Sequence, residues 1–162
     1  MTLTGPMFYV RLAPMSSAPI KDPAHALRFL LAGNAHATFV SLATGTRFTY
    51  KVALADRRPG DTKAPPHFVA VLTGPDNYQY LGVIYGSKIF THGRKSRVSQ
   101  DAPSALAFAW VWQRLTAGRV PESVEVWHEG RCARCGRRLS VPTSIETGLG
   151  PECEKKMVGG VA

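Results

Sequence analysis

An α+β fold is predicted for this 162-residue chain: a small antiparallel sheet packed with two helices, followed by a cysteine-bearing ribbon at the C-terminus. Three observations carry it. Runs of alternating apolar and polar residues, separated by glycine-containing turns, recur between residues 37 and 90. Two stretches with helical apolar spacing, each opened by Asp and Pro, flank those runs at residues 22–32 and 101–115. All three cysteines of the chain fall between residues 132 and 153.

The first twenty residues hold one short apolar stretch, Met7 to Val10, read as an additional edge strand or a loose segment. Asp22-Pro23 then opens a helix, with an N-cap residue followed by proline at the first turn, and Gly33 closes it. Ala26, Leu27, Leu30 and Leu31 form its apolar stripe. A hairpin follows, in which 37–42 and 46–54 flank Ala43-Thr44-Gly45. Along its second strand Phe48, Tyr50 and Val52 alternate with Arg47, Thr49 and Lys51, giving one apolar and one basic face. Two readings stand for the aromatics: a platform on which bases stack, or the core with the charges turned to water.

The polar loop 55–66, rich in Pro and Gly, leads to a third strand at 68–72 and, after the turn at 73–77, a fourth at 78–85. Residues 86–90 read as an extension or a fifth strand. Thr91-His-Gly-Arg-Lys-Ser-Arg97 is a cationic loop whose Gly93, Ser96, Arg94 and Lys95 offer donors suited to a phosphate, or a plain solvated loop. Asp101-Ala-Pro-Ser104 is read as the cap of a second helix, apolar nearly all round from Leu106 to Trp112 and so expected to be buried on more than one side. Val124 to Trp127 is read as the strand leading into the ribbon. The chain divides into a basic α+β domain at 1–120, a ribbon at 121–157 and a flexible tail at 158–162.

Read as ligands, His128, Cys132, Cys135 and Cys153 have the spacing H-x3-C-x2-C-x17-C. Four soft or borderline donors with none left for substrate are what a closed tetrahedral zinc site requires. Cys132 and Cys135 with Gly136 form a knuckle, and Cys153, two residues after Pro151, is placed at a helix N-terminus that favours the thiolate. For the fourth position Glu129, Glu152 and Glu154 are alternatives to His128. A disulfide between two of the cysteines would leave the third odd. The segment Met1 to Met15, broken by Gly5, Pro6, Arg11 and Pro14, lacks the apolar core of a secretory signal, which points to a reduced, cytoplasmic setting.

The run from Gly130 to Leu139, followed by Pro142 to Cys153, resembles a small zinc-ribbon family with the pattern G-x-C-x-x-C-G-R-x-L … P-x-S-I-x-x-G-x-G-P-x-C. The resemblance covers about the last 35 residues. Such ribbons recur in proteins of bacteriophages and mobile elements and are largely of unknown function. Residues 33–50 and 72–77 also look like a module often found before them. The resemblance implies a phage-type accessory protein with a structural zinc, and no particular reaction.

Residues 1–120 carry 14 Lys and Arg against 5 Asp and Glu, so the net charge of +9 belongs to the first domain. With a pI near 9.9, attraction to phosphate backbones is expected. Arg47, Lys51, Lys88, Arg94, Lys95 and Arg97, together with Arg134, Arg137 and Arg138 on the knuckle, are the candidate nucleic-acid contacts. No G-x-S-x-G, H-E-x-x-H, H-x-E deaminase or Walker pattern is present, and a histidine-based nuclease using His92, His67 and Asn77 would rest on their chemistry alone. The expectation is a non-catalytic, zinc-binding protein that binds DNA or RNA in the cytoplasm of a bacterial host, with no small-molecule substrate and no membrane partner. The alternative is an effector that inhibits a host or defence protein by docking its basic surface on an acidic one.

Overall fold

A computed structural model describes residues 18–158. Its strands are β1 (Asn34–Ser41), β2 (Arg47–Leu54), β3 (His67–Gly74), β4 (Asn77–Tyr85), β5 (Ile89–His92) and β6 (Val124–His128). They form one antiparallel sheet in the order β5-β4-β3-β2-β1-β6. The helices of the described residues are α1 (Pro23–Leu30), α2 (Pro103–Thr116), α3 (Pro142–Thr147) and α4 (Pro151–Val158). The class is α+β. The expected strand at 7–10 and the tail beyond residue 158 lie outside the described residues.

The period of two sorts the sheet into two faces. Ala35, Ala37 and Phe39 on β1, Tyr50 and Val52 on β2, Val69 and Val71 on β3, and Val126 on β6 are all buried on one face. Helices α1 and α2 cover it. Phe108 of α2 lies 5.7 Å from Phe39, 5.0 Å from Tyr50 and 4.9 Å from Phe90, measured between ring centroids. The Tyr50 hydroxyl donates to the Ser104 carbonyl at 2.7 Å, satisfying a buried phenol. Tyr50 and Val52 are therefore core residues, and only the opposite face of β2 is left for a ligand.

That opposite face carries a row set by register: His36 pairs with Lys51, Lys51 with Ala70, and Ala70 with Tyr80. Thr38 and Thr49 join their hydroxyls across it at 2.8 Å. The row shifts by one residue on β4, where a bulge separates Val69 opposite Gly82 from Ala70 opposite Tyr80.

Four features differ from expectation. Strand β6 is the sixth strand of the sheet and pairs with β1 from Ala37↔His128 to Ser41↔Val124. Its far side receives the Ile20 amide, which donates to the Val126 carbonyl at 2.7 Å. A five-residue strand names no partner in its sequence, because pairing is made by backbone groups. Second, α3 was not foreseen; its N-cap is Val141, without a side-chain cap bond. Third, the cap of α2 is Ala102, one residue beyond Asp101. Fourth, α2 is buried along one stripe only, by Ala105, Phe108, Val111, Trp112 and Leu115. Leu106 and Trp110 stand 54% and 38% exposed, because the helix lies on the sheet without a second layer over it among the described residues.

Candidate metal centre and cationic surface

The knuckle forms because Gly136 takes φ +78°, a left-handed conformation that brings its amide to the Cys132 carbonyl at 2.9 Å. The segment after the knuckle then returns alongside it: the Cys132 amide donates to Arg137 O at 2.8 Å and the Leu139 amide to Gly130 O at 2.8 Å. Helix α3 stops at Gly148, whose φ of +76° lets its amide donate to Ser144 O. Pro151 then starts α4, with Cys153 in its first turn. The ribbon is locked to the sheet by Asn34 N–H on Ala133 O at 2.7 Å, and closed internally by Ala133 N–H on Gly148 O at 3.1 Å.

This path brings the sulfurs of Cys132, Cys135 and Cys153 within 4.8 Å of one another. Three sulfurs bound at about 2.3 Å to one tetrahedral ion stand roughly 3.8 Å apart, so small rotations suffice to close on a metal. Cys132 is buried, Cys153 half-buried and Cys135 exposed. Burial pushes the Cys132 thiol up, but hydrogen bonds from the amides of Gly150, Cys135 and Arg134 outweigh it and leave the thiol below its ordinary value. Burial, followed by the neighbouring Cys135 and Cys132 sulfurs, raises Cys153 to about 11. The helix N-terminus expected to favour the Cys153 thiolate is thus outweighed by burial and by the crowding of sulfurs. A cation that replaces the protons relieves that crowding.

Gly150 adjoins the sulfur cluster, a neighbour that the cysteine spacing alone does not name. Its amide helps hold Cys132, and a Cβ there would lie 3.8 Å from the Cys132 sulfur. The signal was present in the Gly148-Leu-Gly150-Pro151 run, where a second glycine precedes the helix.

His128 is not part of the sulfur cluster. Its Nδ1 accepts from the Gly130 amide at 2.9 Å, so the ring proton sits on Nε2, which donates to the Ile145 carbonyl. The β6 register places the ring on the helix-covered face, 6.1 Å from the Phe29 ring centroid. Burial lowers its pKa, consistent with a neutral imidazole that ties the sheet to α3. Among the described residues no carboxylate joins the three sulfurs either, so Glu129, Glu152 and Glu154 stand outside the cluster. Beside Cys135 and Cys153 lies a cavity of about 480 Å³, walled also by Arg137, Arg138, Glu152 and Lys156.

The remaining candidate contacts divide into three places. The loop after β5 is fastened to β4: the Gly93 amide donates to Leu81 O at 2.9 Å, and the Ser96 hydroxyl to Tyr80 O at 2.7 Å. Gly93 packs so closely on Tyr80 that a Cβ would meet its ring at 2.4 Å. Ser96 is thereby committed to the backbone rather than to a phosphate, while Arg94, Lys95 and Arg97 are exposed. They stand at the Tyr80 end of the row that includes Lys51, with Arg47 on the same face of β2 as Lys51. Lys88 lies elsewhere, in the β4–β5 turn, where its carbonyl accepts from the Trp112 indole N–H at 3.0 Å. Arg134, Arg137 and Arg138, all exposed, follow β6 at the opposite edge of the sheet from the β5 loop. His67 is buried, with Nε2 on Leu31 O at 3.0 Å, and His92 Nε2 lies 2.9 Å from Val98 O, so each ring is tied to a different stretch of backbone.

A family model described as "Family of unknown function (DUF6011)" matches residues 125–158, which span β6, the knuckle, α3 and α4. No curated protein and no solved structure matches the chain. The matched segment and the three-cysteine cluster fit a zinc-ribbon-like C-terminus able to hold a metal ion. No helix of the described residues is long and apolar enough to cross a membrane.

Proposed function

We propose that this chain is a non-catalytic, zinc-braced protein that binds nucleic acid, an accessory of the kind the ribbon resemblance associates with phages and mobile elements. The observation that carries the reading is the attachment of the cationic loop to Tyr80. It sets Arg94, Lys95 and Arg97 beside a sheet face bearing Lys51, Arg47, Tyr80 and the half-exposed ring of Phe68, 6.3 Å from Tyr80. Cations flanking an aromatic ring that is half-exposed, as Phe68 is, are the arrangement that neutralises phosphates while bases stack. Zinc is the metal that best suits three thiolates in a reduced cytoplasm. It would be held by Cys132, Cys135 and Cys153, and would supply stability by joining residues too few to build a core of their own.

The test is fluorescence anisotropy with single- and double-stranded DNA and RNA at two salt concentrations. Binding that weakens steeply with salt and differs among the four polymers supports the proposal. Uniformly weak binding at physiological salt contradicts it.

A second reading, an effector that docks on another protein, draws on Leu106 and Trp110, exposed along α2 with Arg114 4.8 Å over the Trp110 ring. Binding of fixed stoichiometry that survives physiological salt and is lost in Trp110→Ala would favour it.

A further inference from the structure

Resting on the metal reading above, we propose that the centre is coordinatively open: Cys132, Cys135 and Cys153 provide three ligands, and the fourth is a small external anion taken from the adjoining cavity. Among the described residues no His, Cys, Asp or Glu donor atom joins the three sulfurs. His128, the natural fourth ligand by spacing, has Nδ1 and Nε2 both bonded to backbone, which fixes its ring on the Ile145 side. A closed structural site has its four protein donors in place, whereas a site with three leaves one position exchangeable.

That position has somewhere to open. Cys135 and Cys153 form part of the wall of the 480 Å³ cavity, space enough for an anion with its waters, since a water occupies about 30 Å³. The charge of the wall suits an anion. Arg137, Arg138 and Lys156 line it together with Glu152, a net positive lining that exceeds the single negative charge of a divalent ion on three thiolates. Arg137 and Arg138 thereby gain a role that does not depend on reaching the nucleic acid gathered at the far edge of the sheet. Glu152 is the carboxylate that this wall offers to compete for the position.

Cobalt(II) in place of zinc makes the ligand set visible in its d–d absorption. The full chain, loaded with cobalt, is titrated with sodium azide. The expected result is a saturable change in the bands, with apparent affinity at least fivefold weaker in Arg137→Ala/Arg138→Ala and no change in the azide-free spectrum of Glu152→Gln or His128→Gln. Bands that ignore azide in the wild type overturn the inference while leaving the metal reading intact. A spectrum altered by Glu152→Gln or His128→Gln before azide is added also overturns it, because the protein then fills the position. Absence of any cobalt bands removes the metal reading itself, and this inference with it.

Discussion

Gly148 of the ribbon presses on Phe29 of α1: a Cβ at Gly148 would lie 2.6 Å from Phe29 Cδ2. Phe29 is fully buried, and the residue that touches it also ends α3 in the left-handed conformation. The same glycine thus stops a helix, admits the ring and accepts the Ala133 amide. Gly148→Ala is expected to destabilise the fold by about 2 kcal/mol or more, from backbone strain of roughly 1–2 kcal/mol and displacement of the ring. For a chain of this size that lowers Tm by about 4 °C or more, measured by circular dichroism. An unchanged Tm would refute the contact.

Acid should destabilise the protein through His67. Burial holds its pKa below 6.5, with a partial offset from the bond to Leu31 O, and among the described residues its Nδ1 has no hydrogen-bond partner. The folded state therefore binds the proton less readily than the unfolded state. Nothing is lost above the unfolded pKa of about 6.5, and stability falls as pH drops below it, by at most about 1.4 kcal/mol per pH unit, until the folded pKa is reached. His67→Gln, which keeps a donor near Leu31 O, should lose less stability than the wild type between pH 7.5 and pH 5.5 in urea titrations. Equal losses would show that His67 does not titrate differently on folding.

Removing the Tyr50 hydroxyl leaves the ring packing among Phe39, Phe48 and Phe108 but deletes the bond to Ser104 O. Tyr50→Phe should cost about 1 kcal/mol in a denaturant titration, since the bond is buried and joins β2 to the first turn of α2. A stability equal to wild type would mean that the hydroxyl contributes nothing to holding α2.

The cationic loop offers a graded prediction. Arg94→Ala/Lys95→Ala/Arg97→Ala should reduce the salt dependence of nucleic-acid binding by about three units in the slope of log K against log salt. Lys88→Ala should leave it nearly unchanged, because Lys88 lies in the β4–β5 turn, at the other end of β5 from the loop. A slope unaffected by the triple change would remove the loop from the interface.

Local chemistry was legible in the sequence, and nonlocal pairing was not. Asp22 and Pro23 announced α1, and Asp22 does accept the His25 amide at 3.0 Å, a bond that lowers its pKa. The alternation of Phe48, Tyr50 and Val52 marked the buried face of β2, and the Cys132, Cys135, Cys153 spacing marked the sulfur cluster. What escaped depends on where distant segments meet. His128 looks like a ligand when counted along the chain, but antiparallel pairing of β6 with β1 turns its ring toward Phe29 and Ile145. The apolar girth of α2 suggested burial all round, yet Leu106 and Trp110 face outward because the sheet covers one side only. Helix α3 lacks a capping side chain at Val141 and is held instead by its contact with α1 and by Gly148.

Native mass spectrometry of the full chain tests the central claim, that Cys132, Cys135 and Cys153 together hold zinc. The account predicts the mass of one zinc ion per chain, lost on acid denaturation and absent in Cys135→Ser, whose ribbon melts at lower temperature. A wild-type protein that is fully folded at its metal-free mass, with three free thiols and a melting profile equal to that of Cys135→Ser, would contradict it.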